Sequence, residues 1–266
     1  MKVLVTVKEV AIVEDGFEIA GTEVDDTYLG YDLNEWDDYA VEEAVQLAEA
    51  GDDVEVVAVT IGPERSEETI RMALAKGADR AVRVWDDAIA DVELLDVETK
   101  ARLLGAVVEQ EEPDLVLSGV QANDDSFGAT GVALAETVGF QWAAVVNALD
   151  TGTVLEEGVA SVRRELEGGV EELTDVDLPA VLTIQTGINE PRYASLRGIR
   201  QAQSKEIDTR TVADLGLDAS VAESSLDVTA MYEPESESDA EYFDGDPDEQ
   251  AAQLADVLVE KGVVSE

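Results

Sequence analysis

VVAVTIGPERSEETIRMALAKGADRAVRV, residues 56–84, sets two β-branched runs on either side of one helical pattern, and its reading decides the fold. The first run, VEVVAVTI at 54–61, is apolar with few interruptions. A strand buried on both faces needs such a run, whereas a half-exposed strand would alternate. Between residues 64 and 76, Ile70, Ala73 and Leu74 recur at helical spacing, and Gly77 offers a stop. The apolar run resumes at 81–84. Strand, helix and strand in this order make a parallel crossover unit.

The same alternation extends outward. VLVTV at 3–7 and LVLS at 115–118 read as further buried strands. Asn34 is a candidate cap for a helix whose Ala40, Val41, Ala44, Val45 and Ala48 share a face, with Gly51 as its stop. Residues 99–109 offer Leu103, Leu104, Val107 and Val108, and a helix over 127–138 ends at Gly139. The fold class is therefore α/β, a mostly parallel sheet with helices on both faces. Residues 11–32 interrupt that order and read as a hairpin excursion near Gly16 and Gly21. After Gly139 the pattern turns to strands, at 143–146, near Val154, at 162–166, at 170–173 and at 180–184. Gly168-Gly169 suits a hairpin turn, so these are expected to extend the sheet edge antiparallel.

The expected divisions are a core over 1–205, a wrapping segment over 206–232, an acidic linker over 233–248 and an amphipathic helix over 249–262. Nine acids and no base fall between residues 233 and 249, too polar a stretch to bury itself. Beyond it Ala251, Leu254, Ala255 and Leu258 share one face of a C-terminal helical arm.

Sixty-two acids stand against seventeen bases, a formal net charge of −45. A field of that sign repels nucleic acid and anionic lipid, so neither is an expected partner. At molar salt the Debye length falls to roughly 3 Å and self-repulsion fades, so the composition reads as salt-adapted. Cys and His are both absent, which removes thiol nucleophiles, imidazole bases and ordinary zinc sites. No apolar run reaches the ~18 residues that span a bilayer. MKVLVTVKEV enters a strand without a signal-like segment, so a cytoplasmic protein with no direct membrane insertion is expected.

The loop GVQANDDSFGATG, 119–131, follows a strand and opens a helix. Ligands of open α/β sheets bind at strand carboxyl ends, and free N–H groups at a helix N-terminus suit phosphate. Gly119 and Gly128 permit close approach, and Ser126 and Thr130 add hydroxyls. The alternative is an ordinary connection in which Asp124 or Asp125 caps the helix. Both acids oppose phosphate, which leaves a ribose or an amide donor for one of them. Trp36, Trp85 and Trp142 read as packing residues, and Arg163 and Arg164 as partners of neighbouring glutamates. A second stretch, INEPRYASLRGIRQAQ at 188–203, keeps three arginines and one acid within this acidic chain.

KVLVTVKEV, NEWDDYAVEEAVQLAEAG, DLVLSGVQANDDSFGATG, VRRELEGGVEEL and LPAVLTIQTGINEPRYASLRGI, together with the opening stretch, resemble the beta subunit of electron-transferring flavoprotein. The resemblance runs in order over most of 1–205. It implies an adenine-nucleotide-hydrolase-like α/β fold, and an alpha subunit that holds most of a redox-active FAD. It also implies a structural AMP in this subunit. Acyl-CoA and related dehydrogenases would donate electrons, for example in fatty acid oxidation, and a membrane quinone oxidoreductase would accept them. The chain itself would be no enzyme. By position, nucleotide contacts are implied for Thr6, Asn34, Glu35, Trp36, Asp37, Ile61, Gly119, Gln121, Ala122, Asn123, Asp124, Asp125, Ser126, Phe127, Gly128, Ala129 and Thr130.

The stretch at 188–203 resembles the family's recognition loop. Leu196 corresponds to its apolar anchor, Glu190, Pro191 and Tyr193 belong to the same loop, and Arg192, Arg197 and Arg200 would form a positive rim. Internal pairing of Arg192 and Arg197 is the alternative. Glu165 aligns with a glutamate near the subunit interface, and the C-terminal helix would cross to the alpha subunit. The chain departs from the pattern at QAQSKEI, where relatives carry more lysines, and at Glu35, where many carry Pro. Two other readings stay open. One is an electron-bifurcating type with FAD and NADH bound in this subunit, against which Asp125 and Thr130 speak. The other is a non-redox adenine-nucleotide-binding signalling or stress module.

Overall fold

The apolar runs become strands whose side chains are shielded on both faces. The computed structural model describes residues 1–234, 240 and 242–264. Strand β1 (Lys2–Thr6) is followed by β2 (Glu9–Val13), β3 (Ile19–Ala20), β4 (Glu23–Val24) and β5 (Leu29–Leu33). Here β2 pairs antiparallel with β5, and β3 with β4, which gives the excursion expected between 11 and 32. Helix α1 (Glu35–Ala50), β6 (Glu55–Ile61), α2 (Glu67–Lys76) and β7 (Arg80–Val84) complete two parallel crossovers. The short α3 (Asp87–Ala90) and the long α4 (Val97–Glu111) lead to β8 (Leu115–Gly119) and α5 (Thr130–Val138).

The chain then runs through β9 (Gln141–Leu149), α6 (Thr151–Glu157), β10 (Val159–Leu166), β11 (Val170–Asp177) and β12 (Ala180–Ile184). It finishes the first of two compact units, Met1–Met231, with α7 (Leu196–Ala202) and β13 (Ile207–Arg210). The second unit, Tyr232–Glu266, carries α8 (Pro247–Glu260). A capping box starts α8, with Asp246 bonded to the Glu249 N–H and Glu249 returned to the Asp246 N–H. Of the acidic linker expected over 233–248, residues 235–239 and 241 lie outside the described residues.

The nine-stranded sheet has the order β11-β10-β9-β12-β8-β1-β6-β7-β13. Val3, Val5, Val56, Ala58, Leu115 and Leu117 face one layer with α1 and α2. Leu4, Val57, Val59, Val82 and Val116 face the other with α4 and α5. Neighbouring residues on one strand thus serve opposite cores, and this is why the runs lack alternation.

Four expectations need correction. The segment near Val154 is the helix α6, because Asp150 Oδ1 accepts the Gly152 N–H at 2.8 Å and caps it. AVLTI at 180–184 is parallel, inserted between β9 and β8, so only β10 and β11 extend the edge antiparallel. The helix expected from residue 127 starts at Thr130, because Ser126 and Gly128 adopt positive φ, 51° and 61°, and break it. Trp142, read as a packing residue, is 46% exposed.

Charge also stitches the layers. Glu111, at the end of α4, accepts from Lys2 on β1 at 3.3 Å, from Arg80 on β7 at 2.5 Å and from Arg210 on β13 at 2.6 Å. Burial pushes its carboxyl up, but the arginines outweigh this and hold it at about 2. A depressed carboxyl contributes stability above its unfolded value of 4.5 and loses it as pH falls toward 2. Glu111→Gln is expected to cost about 2 kcal/mol at pH 7, below the ~3–5 of a fully buried pair because both arginines reach solvent. Urea unfolding at several pH values checks this, and the gap from wild type should close between about pH 4.5 and 2.

Candidate functional site

After β1 the chain moves one way across the sheet, to β6 and β7, and then returns to place β8 on the other side of β1. Helix α1 leaves on one face and α5 on the other. The ends of β1 and β8 therefore part at a topological switch point, where open α/β sheets form a crevice. A cavity of about 380 Å3 opens there.

Asp37 fixes its inner edge. The carboxylate is 5% exposed and accepts the Lys8 N–H at 2.8 Å and the Gly119 N–H at 3.0 Å. Burial pushes this carboxyl up to about 7, against the Lys8, Asn34 and Gly119 hydrogen bonds that favour the ionised form. Gly119 has no room for a side chain, since a Cβ there would lie 2.5 Å from Asp37 Oδ1 and 2.6 Å from the Trp36 Cβ. Asn34 precedes α1 but makes no side-chain cap. Its amide instead donates to the Gln121 carbonyl at 2.8 Å and accepts the Asn123 N–H at 3.3 Å. The side chain read as a helix cap thus holds the 119–130 loop.

Thr6, Asn34, Asp37, Ile61, Gly119, Gln121, Ala122, Asp124, Asp125, Gly128, Ala129 and Thr130 line the cavity. The other five residues implied for the nucleotide are not among its lining. Glu35 is exposed, Trp36 Nε1 donates to Gln185 at 3.0 Å, and the Asn123 N–H is taken by Asn34. Ser126 Oγ turns back to the Ala122 carbonyl at 3.4 Å, and the Phe127 ring lies 4.8 Å from the Lys100 ammonium.

Sequence reading missed two lysines. Lys8 Nζ donates to Asp124 at 2.5 Å and to Asp125 at 2.8 Å, and Lys100 Nζ reaches Asp125 at 2.5 Å. Burial pushes the Asp125 carboxyl up, but Lys100 and Lys8 outweigh it and hold it below the usual range. The acids that seemed to oppose an anion are therefore neutralised, and neither caps α5. Lys8 stands two residues past the end of β1 and was findable by the strand-end rule. Lys100 lies in the first turn of α4, with no local signal.

The cavity lining joins two kinds of surface. Ile61, Trp85, Ile89, Val92, Leu95 and Leu104 line an apolar part. Gly128, Ala129 and Thr130 bring the start of α5, whose N-cap Ala129 offers no side-chain acceptor to the first free N–H groups. An amphiphile with a flat apolar head and an anionic tail suits such a lining.

On the other implied surface, Tyr193 is 98% and Leu196 78% exposed. Ile199, one helical turn beyond Leu196, is also exposed and was not anticipated. Arg197 and Arg200 are exposed and make no ion pair among the described residues. Arg192 pairs with Glu42 at 2.7 Å and Glu49 at 2.6 Å, so it does not join them in a free positive rim. Glu190 is exposed and Pro191 half-buried. Glu165 is exposed at the outer end of β10, near Arg164, which pairs with Glu172 at 3.2 Å. Among the described residues no acidic cluster is arranged to hold a metal ion, and no helix is long and apolar enough to cross a membrane.

A family model described as the electron transfer flavoprotein domain matches residues 22–215. The chain is 47% identical over 266 residues to the electron transfer flavoprotein subunit beta of Methylophilus methylotrophus, a match covering 98% of each. It is 39% identical over 236 residues to the mitochondrial subunit beta of Oryza sativa subsp. indica, covering 88% of this chain and 90% of the relative. With the Homo sapiens subunit beta it shares 41% over 205 residues, covering 77% and 76%. With the resemblance carried by the sequence motifs and the parallel sheet that they build, this similarity settles the family: the chain belongs to the electron transfer flavoprotein beta subunits.

Proposed function

We propose that this chain is the beta subunit of a heterodimeric electron-transferring flavoprotein, that it holds AMP structurally in the cavity between β1 and β8, and that it docks dehydrogenases through residues 188–203. The observation that carries the reading is a cavity whose lining joins an apolar part with the uncapped start of α5. Adenine suits the first and a phosphate the second. At about 380 Å3 the cavity lies near the small end of the ~300–1,000 Å3 range of ligand pockets, which favours a mononucleotide over a dinucleotide such as FAD. FAD, held mainly by the alpha subunit, supplies the redox chemistry. The side chains of this subunit include neither thiol nor imidazole and serve to position the nucleotide and the partners.

In the docking role Leu196 enters a partner pocket, and Arg197 and Arg200 steer the loop toward acidic surfaces in a chain whose remaining field repels them. Acyl-CoA and related dehydrogenases donate electrons and a membrane quinone oxidoreductase accepts them. The work is done in a cytoplasm of high salt, to which a charge of −45 is suited.

Three measurements test these statements. Denaturing the purified heterodimer and identifying what is released should yield one AMP and one FAD, whereas two flavins and no AMP would falsify the nucleotide assignment and favour the bifurcating type. Leu196→Ala is expected to weaken binding of a purified acyl-CoA dehydrogenase by about 2 kcal/mol, on the order of thirtyfold, without lowering flavin content. Unaltered affinity rules out the anchor. Thermal unfolding in roughly 0.1 to 2 M KCl should show a rising midpoint as screening relieves self-repulsion, and a flat midpoint contradicts salt adaptation.

A further inference from the structure

Of the three arginines between 188 and 203, Arg192 is turned inward. Its Nε donates to Glu42 Oε2 at 2.7 Å and its Nη2 to Glu42 Oε1 at 3.0 Å, while Nη1 reaches Glu49 Oε1 at 2.6 Å and Nη2 reaches Glu49 Oε2 at 2.9 Å. Its backbone N–H adds a fifth bond, to Glu42 Oε2 at 3.1 Å. Glu42 and Glu49 stand two turns apart on one face of α1, so a single guanidinium spans both carboxylates. Three residues earlier, Asn189 Nδ2 donates to Glu43 Oε2 at 2.9 Å and to the Tyr39 carbonyl at 3.1 Å. One strut of the loop is thus bolted to α1.

The other strut is bolted to α2. A Cβ on Gly198 would lie 2.3 Å from the Ala75 carbonyl oxygen, so α7 rests on the α2 backbone at a distance only glycine allows. Ser195 Oγ accepts the Gly198 N–H at 3.0 Å and starts α7 there. Arg71 Nη1 then donates to the Ala202 carbonyl at 2.6 Å, and Lys205 Nζ to the Ala78 carbonyl at 2.5 Å. Between these two anchorages Tyr193 and Leu196 project almost bare into solvent.

We propose that Arg192 is a positioning residue and not a docking contact: clamped to Glu42 and Glu49, it holds the 189–195 loop so that Tyr193 and Leu196 meet a partner in one fixed arrangement. This rests on the docking reading given above. A loop ordered before the partner arrives surrenders less conformational freedom on binding. The guanidinium suits the task because its planar fork bonds two carboxylates at once, which an ammonium does not reproduce. The carboxylates that bind it also cancel its charge, which leaves the steering to Arg197 and Arg200.

Three variants of the assembled heterodimer separate the roles: Arg192→Ala, the double Glu42→Gln/Glu49→Gln, which leaves Arg192 in place, and Arg192→Lys. Affinity for a purified acyl-CoA dehydrogenase and amide hydrogen exchange over 189–195 are measured on each. A positioning role predicts that the double variant weakens docking as much as Arg192→Ala, on the order of tenfold, and that combining them adds nothing further. Exchange over 189–195 should quicken in both while that of the central strands stays put, and Arg192→Lys should restore only part of the affinity. Wild-type docking by the double variant, beside weakened docking by Arg192→Ala, overturns the proposal by making Arg192 a direct contact. Leu196→Ala serves as the control for the underlying reading. If it leaves docking unchanged, docking through this loop falls, and the clamp is then decided by exchange alone, unquickened exchange in the double variant overturning it.

Discussion

One buried carboxylate joins the parts that make the site. Asp37 accepts the N–H of Lys8, just past β1, and the N–H of Gly119, the last residue of β8, from its place in the first turn of α1. Those strands lead into helices on opposite faces, so their ends would otherwise leave backbone donors pointing into a crevice. Both carboxylate oxygens face donors, which favours the ionised form, while burial disfavours it. The close approach that a glycine at 119 permits keeps the arrangement short. The cavity, the loop that borders it and the start of α1 are consequences of this one junction.

The same helix holds a second loop farther along its length. Its first turn, with Asn34 just before it, holds the cavity loop, and its middle, with Tyr39, Glu42, Glu43 and Glu49, receives the 189–195 loop. A sixteen-residue helix packed through Ala40, Val41, Ala44, Val45 and Leu47 is a stiff ruler between the two. An acidic α1 is therefore no mere solvated surface. Glu42 and Glu43 are 5% and 4% exposed: Arg192 meets the charge of the first, while the second receives the Asn189 amide and burial pushes its carboxyl up.

How much of this was legible depended on distance along the chain. The 56–84 unit declared itself because its periodicity is local and its strands are buried on both faces. Helix α6 hid because two turns are too short to show a period, and Val154 alone resembled a strand residue. The parallel placement of 180–184 was hidden for a different reason: β12 enters between strands laid down earlier, and no short-range pattern encodes insertion. The cavity loop was visible as a strand followed by glycines and a helix. Its charge balance was not, because Lys8 and Lys100 meet Asp125 only in three dimensions, 117 and 25 residues from it in sequence.

Against a net charge of −45, the fate of each cation carries information. Lys2, Arg80 and Arg210 are drawn to Glu111, Lys8 and Lys100 to Asp125, and Arg192 to Glu42 and Glu49. An exposed arginine on such a surface has many acids within reach, and pairing on the surface is worth only ~0–1 kcal/mol, so chance alone would scatter cations among them. Arg197 and Arg200 instead stand exposed beside Leu196 and Ile199, on the helix whose start is fixed by Ser195. Apolar surface, and positive charge that makes no ion pair among the described residues, coincide on a helix whose first turn is bonded in place. On the docking role proposed above, a surface met in one orientation by an acidic partner would draw on all three.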